Sequence, residues 1–110
     1  MKLGRFERSV YPLTKCCEMM PKNEKYFVER AKAFQALQMF DEAVADYTHV
    51  LSLNKTHTQA LFRRAFAYKA QSKFELAIAD FDRARALDPD NAHFNVNYRH
   101  LRNVNYLRTS

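Results

Sequence analysis

Lys73–Pro89 reads KFELAIADFDRARALDP, and thirty-four residues earlier Met39–Lys55 reads MFDEAVADYTHVLSLNK. Laying Glu24–His57 over Thr58–Asn91 without a gap pairs Arg30 with Arg64, Ala31 with Ala65, Ala33 with Ala67, Ala36 with Ala70 and Phe40 with Phe74. The same register pairs Ala43 with Ala77, Ala45 with Ala79, Asp46 with Asp80 and Leu53 with Leu87. Like replaces like around them: Phe34 by Tyr68, Asp41 by Glu75, Val44 by Ile78, Tyr47 by Phe81. Neither copy contains Gly or Pro before Pro89. A repeat of this period without internal helix breakers predicts helical hairpins that bury their apolar faces on one another.

These residues resemble the tetratricopeptide repeat family. Its pattern places a large apolar residue, a small residue and an aromatic in the first helix, then Ala-x-x-x-aromatic and Pro in the second. Here they are Phe27, Ala31, Phe34, Ala43 and Tyr47 in one copy, and Leu61, Ala65, Tyr68, Ala77, Phe81 and Pro89 in the other. Arg30 and Arg64 stand where the family usually has Leu, and Lys55 replaces the Pro. The small residues that let two helices approach are kept. The resemblance implies an all-α fold of antiparallel helix-turn-helix repeats, stacked as a short right-handed solenoid.

The predicted helices are about Ser9–Met19, Glu24–Leu37, Phe40–Leu53, Thr58–Gln71 and Phe74–Leu87. Breaks at Pro21-Lys22-Asn23, Asn54-Lys55-Thr56 and Asp88-Pro89-Asp90-Asn91 carry turn and capping chemistry. In the same register, residues 4–21 read as the second half of an earlier repeat. Gly4 falls at the family's turn glycine, and Phe6, Ser9, Leu13 and Cys16 match Phe40, Ala43, Tyr47 and Val50. Pro12 is reconciled with a helix if Ser9 is its N-cap, because the first turn owes no internal hydrogen bond. Phe6, Val10, Leu13, Cys17 and Met20 would then form its apolar face. Residues 92–107, with Phe94, Tyr98, Leu101 and Val104 on one stripe, read as a closing helix, so that residues 1–110 form a single domain.

A chain of 110 residues with 47% hydrophobic content and one Gly fits a compact helical protein with a modest core. No apolar run reaches membrane-spanning length, and Met1–Ser9 has no apolar signal-peptide core, so a cytoplasmic or nuclear setting is expected. Cys16 and Cys17 are neighbours and cannot link distant segments; reduced thiols are expected. Asn54-Lys55-Thr56 is a glycosylation acceptor by pattern, read here as a turn between repeats. The net charge of +6 is concentrated in residues 1–22 and 92–110, about +3 each, while the repeats between are neutral.

No catalytic constellation is found. His49, His57, His93 and His100 do not share metal-site spacing, and neither a Gly-rich phosphate loop nor a nucleophile elbow is present. Asp41, Glu42 and Asp46 read as the solvent face of a helix. No enzyme activity, cofactor or metal is expected.

In proteins of the resembled family, the first helix of each repeat lines a concave surface that holds a partner peptide. By register the lining would be Lys25, Val28, Glu29, Lys32, Gln35 and Ala36, then Gln59, Phe62, Arg63, Phe66, Lys69 and Ala70, then His93, Val96, Asn97 and His100. Phe62 and Phe66 lie one turn apart on a face the repeat core does not require. With Arg63 and Lys69 they point to a peptide with apolar anchors and acidic residues. One subset of the family grips the C-terminal carboxylate of heat-shock chaperones with Lys, Asn and Arg side chains. The corresponding residues here are Val28, Lys32, Arg63, His93 and Asn97, which keep only positive charge in that neighbourhood and do not support that ligand. Two other readings remain: nucleic-acid binding through the basic ends with Tyr98, Arg99, Arg102 and Tyr106, and self-association as part of a longer repeat array.

Overall fold

Asn23 opens the first full repeat with its side chain. Its Oδ1 accepts the Lys25 N–H at 3.0 Å, satisfying one of the donors that the start of a helix leaves unpaired. The computed structural model describes the backbone of residues 2–90 and the side chains from Arg8 onward. The closing helix expected over residues 92–107, and the side chain of Phe6, lie outside the described residues. The chain divides into two units, Met1–Lys55 and Thr56–Ser110.

The first unit holds α1 (Lys2–Met19), α2 (Glu24–Ala36) and α3 (Phe40–Leu53). α2 packs on both of the others. It ends in a turn where Gln38 takes a left-handed φ of 63°. There the Gln38 N–H donates to the Gln35 carbonyl at 3.0 Å and the Met39 N–H to the Phe34 carbonyl at 2.8 Å. This 6→1 and 5→2 pairing satisfies carbonyls that the end of the helix would otherwise orphan, and reverses the chain. α3 has no side-chain cap, but Asp41 and Glu42 in its first turn complement the positive end of the helix dipole. Ala31 and Ala43 are both fully buried, and having only a methyl group each they let α2 and α3 approach closely. Phe27, Val28, Tyr47 and Val50 fill the core around them.

The second unit repeats the device with α4 (Thr58–Ala70) and α5 (Phe74–Leu87). His57 replaces Asn23 as the cap, its Nδ1 accepting the Ala60 N–H at 3.1 Å. Ser72, at φ 61°, replaces Gln38, and the Ser72 and Lys73 N–H groups close the same two bonds at 2.9 Å each. Ala65, Ala77, Ile78 and Phe81 form the core between the helices.

Three expectations are corrected. α1 does not start at Ser9: it runs from Lys2, so Gly4 is helical and Pro12 lies in the helix interior. The carbonyl that loses its partner to Pro12 belongs to Arg8, four residues back; both residues are exposed, where water can satisfy the group. Met20, assigned to the apolar face, lies beyond the end of α1 and is 49% exposed, whereas Cys17 is buried as expected.

Asp46 is not on a solvent face. It is buried, and the Arg30 guanidinium grips it with two bonds, Nε to Oδ2 at 2.8 Å and Nη2 to Oδ1 at 2.7 Å. Arg64 and buried Asp80 repeat the fork at 2.6 and 2.8 Å. The two arginines that depart from the family pattern are therefore each answered by a carboxylate on the facing helix. A buried charge is tolerated only when paired and hydrogen-bonded, and the parallel two-bond geometry supplies both. Arg30 also donates Nη1 to Thr14 Oγ1 at 3.3 Å, which ties α1 to the same cluster.

Candidate peptide-binding surface

The lining expected by register falls on α2 in the first unit and α4 in the second. On α2, Lys25 is exposed, and half-buried Lys32 pairs with Glu29 at 3.0 Å, an i,i+3 contact on a solvated surface. Gln35 is half-buried, its Oε1 accepting the Tyr47 hydroxyl at 2.5 Å. Val28 does not belong to an open face: at 5% exposure it is core, because that side of α2 is turned inward with Phe27 and Ala31.

On α4 the register residue of Val28 is Phe62, and that of Lys32 is Phe66. Both rings are half-buried and pack against the core cluster. Their centroids are 4.8 Å apart at 85°, and they lie 5.5 and 5.4 Å from Phe81 at 66° and 89°. These edge-to-face arrangements are favourable for aromatic rings. The two phenylalanines are thus not spare to the core, as their place in the pattern suggested. They anchor it on one side and leave the remainder of each ring open. The Lys69 Nζ stands 6.0 Å over the Phe66 ring, at the outer limit of a cation–π contact, and Arg63 is half-buried beside Phe62. The structure therefore brings Phe62, Phe66 and Lys69 together on α4, with Arg63 adjacent in sequence. Asn97 and His100, like His93 and Val96, lie outside the described residues.

The electrostatics of both units centre on the arginine forks. Hydrogen bonding to Asp46 and Asp80 pushes the already high pKa values of Arg30 and Arg64 further up, against the opposing effect of burial. Burial also pushes the Cys17 thiol up, with nearby Arg30 acting in the opposite direction, so this cysteine is a packed apolar group rather than a nucleophile. Cys16 and Cys17 are both free thiols. Among the described residues no three His, Cys, Asp or Glu side chains converge as a metal site, and no helix is long and apolar enough to cross a membrane.

Pairing of Arg30 with Asp46 and Arg64 with Asp80 escaped the sequence reading, although a signal was present. Both charges recur at identical positions in both copies, and charges confined to a solvated face are under no such constraint of position.

The family pattern described as Tetratricopeptide repeat matches residues 24–57 and again 58–91. With five helices among the described residues, the chain belongs to the tetratricopeptide repeat family and has its all-α helical-repeat fold. Among solved structures it is similar to the first such domain of Spaghetti (RPAP3) bound to the HSP90 peptide SRMEEVD. The identity is 29%, covering 94% of this chain and 82% of that one, with a TM-score of 0.88. It is similar also to the Arabidopsis OM64 domain, at 29% identity, 93% and 84% coverage and a TM-score of 0.86. The second domain of human RPAP3, solved in complex with the HSP70 peptide SGPTIEEVD, gives 26%, 92% and 84%, and 0.85. None of the curated proteins matches by sequence.

Proposed function

We propose that this chain is a protein-interaction module that binds an acidic peptide carrying apolar anchors and performs no chemistry of its own. The observation that carries this reading is the surface of α4, where Phe62 and Phe66 are fixed from below by Phe81 while Arg63 and Lys69 stand beside them. Rings already locked by packing lose little freedom when a ligand covers them, and flanking cations select against like-charged partners. Support comes from the related domains whose bound peptides end in EEVD, three acidic residues around one apolar valine. Val28 is buried where chaperone-tail binders carry a polar side chain, so the acidic run and the apolar anchor, rather than a terminal carboxylate, are the features recognised here. A cytoplasmic or nuclear setting would suit such a module.

The test is calorimetric titration of the full chain with SRMEEVD as free acid and as C-terminal amide. Both forms should bind, and Arg63→Glu/Lys69→Glu should weaken both by about tenfold or more, roughly 1.4 kcal/mol, without lowering the melting temperature. Binding that needs the free carboxylate, or that ignores the charge reversal, would overturn the reading.

A further inference from the structure

The positions that make up the α4 surface recur on α2, and there each of them is engaged within its own repeat. Val28 is core at 5% exposure, while its equivalent Phe62 is only half-buried. Lys32 pairs with Glu29 at 3.0 Å; their equivalents are Phe66 and Arg63, and Thr58–Ala70 contains no acid. Gln35 accepts the hydroxyl of Tyr47 at 2.5 Å; the equivalent residues are Lys69 and Phe81. Tyr47 and Phe81 are both at 0% exposure, and they differ by a single hydroxyl group.

We propose that Phe81 is the positioning residue of the α4 surface, and that its lack of a hydroxyl directs Lys69 to the ligand; this rests on the peptide-binding reading of that surface. A buried hydroxyl requires a partner. In the first repeat Gln35 supplies it, and that side chain is thereby turned toward α3. A hydroxyl at position 81 would make the same demand of position 69, and the Lys69 ammonium, which can only donate, would answer by donating to it. The phenyl ring makes no such demand. Lys69 Nζ stands instead 6.0 Å over the Phe66 ring, and Phe81 meets Phe62 and Phe66 edge-to-face at 5.5 and 5.4 Å. One buried ring thus fixes the two apolar anchors by contact and the cation by the atom it omits. Being fully buried, Phe81 acts through these neighbours and not on the ligand itself. The same geometry sets the spacing of the ligand. Phe62 and Lys69 are seven residues apart, about 10 Å along a helix, which about three residues of extended chain span. The peptide recognised therefore carries an acid about three residues from its apolar anchor.

The test titrates SRMEEVD into the full chain as wild type, Phe81→Tyr and Tyr47→Phe, and follows the Lys69 ε-methylene protons by NMR in the free chains. In the wild type the Phe66 ring should shift those protons upfield, and in Phe81→Tyr the shift should vanish. Phe81→Tyr should bind the peptide about fivefold or more weakly, whereas Tyr47→Phe should bind it as the wild type does. In a Lys69→Ala background Phe81→Tyr should cause no further loss. A Phe81→Tyr chain that keeps the ring shift, binds as well as the wild type, or loses affinity equally without Lys69 overturns the proposal. So does one that fails to fold, because Lys69 would then not reach the hydroxyl. Failure of the wild-type chain to bind SRMEEVD is a distinct result: it overturns the peptide-binding reading, and this proposal with it, whatever the ring shift shows.

Discussion

Arg64 holds Asp80 across the α4–α5 interface through two parallel hydrogen bonds of 2.6 and 2.8 Å, with both side chains less than one-fifth exposed. The fork fixes the rotation of one helix against the other, since either bond is lost if the planes of the two groups tilt. Arg64 Cζ also lies 5.5 Å over the Tyr68 ring, a cation–π contact beside the fork.

Removing either partner leaves the other as an uncompensated charge away from water. Asp80→Ala and Arg64→Leu should each destabilise the protein by roughly 3 kcal/mol. The double replacement Arg64→Leu/Asp80→Leu should recover most of that loss, because an apolar pair has no desolvation to offset. Urea denaturation of the three variants measures the coupling, and additive losses would show that the fork has no mutual contribution.

Gln38 and Ser72 hold left-handed backbone angles in which a Cβ meets the following carbonyl. Gln38→Gly and Ser72→Gly should each stabilise by up to about 1 kcal/mol, the relief of strain exceeding the added freedom of the unfolded chain. Thermal melts are the check. A fall in melting temperature for both would mean that the side chains contribute contacts greater than the strain.

Ala65 is fully buried where α4 meets α5. Ala65→Leu should cost on the order of 1–3 kcal/mol by forcing the helices apart, while Ala70→Leu, at the exposed end of α4, should change stability by less than about 0.5 kcal/mol. Equal effects at the two positions would remove close approach as the reason for alanine here.

Cys17 supplies the pH dependence. Burial raises its thiol pKa in the folded state. Below the ordinary thiol range, about pH 8.5, both folded and unfolded chains keep the proton and nothing changes. Above it the unfolded chain ionises first, so the stability associated with the neutral thiol declines as pH rises. Cys17→Ala should remove that part of the decline. The difference in stability between wild type and variant should therefore shift between pH 8 and 10, and a constant difference would contradict the assignment. Cys17 should also react with iodoacetamide only as fast as the protein opens.

Much of this fold is legible in the sequence. Glu24, Phe40, Thr58 and Phe74 as helix starts, and the alanines as contact points, follow from a period and a pattern that local chemistry enforces. The role of Asp46 was not readable from its own helix, where it sits among Asp41 and Glu42 and looks like one more solvated acid. What buries it is Arg30, sixteen residues away, and only the recurrence of both charges thirty-four residues on hints at the pair. Phe62 and Phe66 show the opposite limit. Their spacing marks an apolar arc on α4, but such an arc does not reveal how far the neighbouring helix reaches beneath it. Pro12 misled because a proline is strongly disfavoured inside a helix, and the exposure that makes it tolerable here is a tertiary fact.

Each arginine fork lies wholly inside one repeat, with donor and acceptor encoded sixteen residues apart in the same thirty-four-residue block. A duplication that copies the block copies both halves of the fastening at once and never strands a charge in the new copy. Had the arginine of one repeat answered an acid in the next, every insertion or loss of a repeat would have broken a pair at the junction. The self-contained fork therefore makes the repeat a unit that an array can gain or lose without repair elsewhere in the chain.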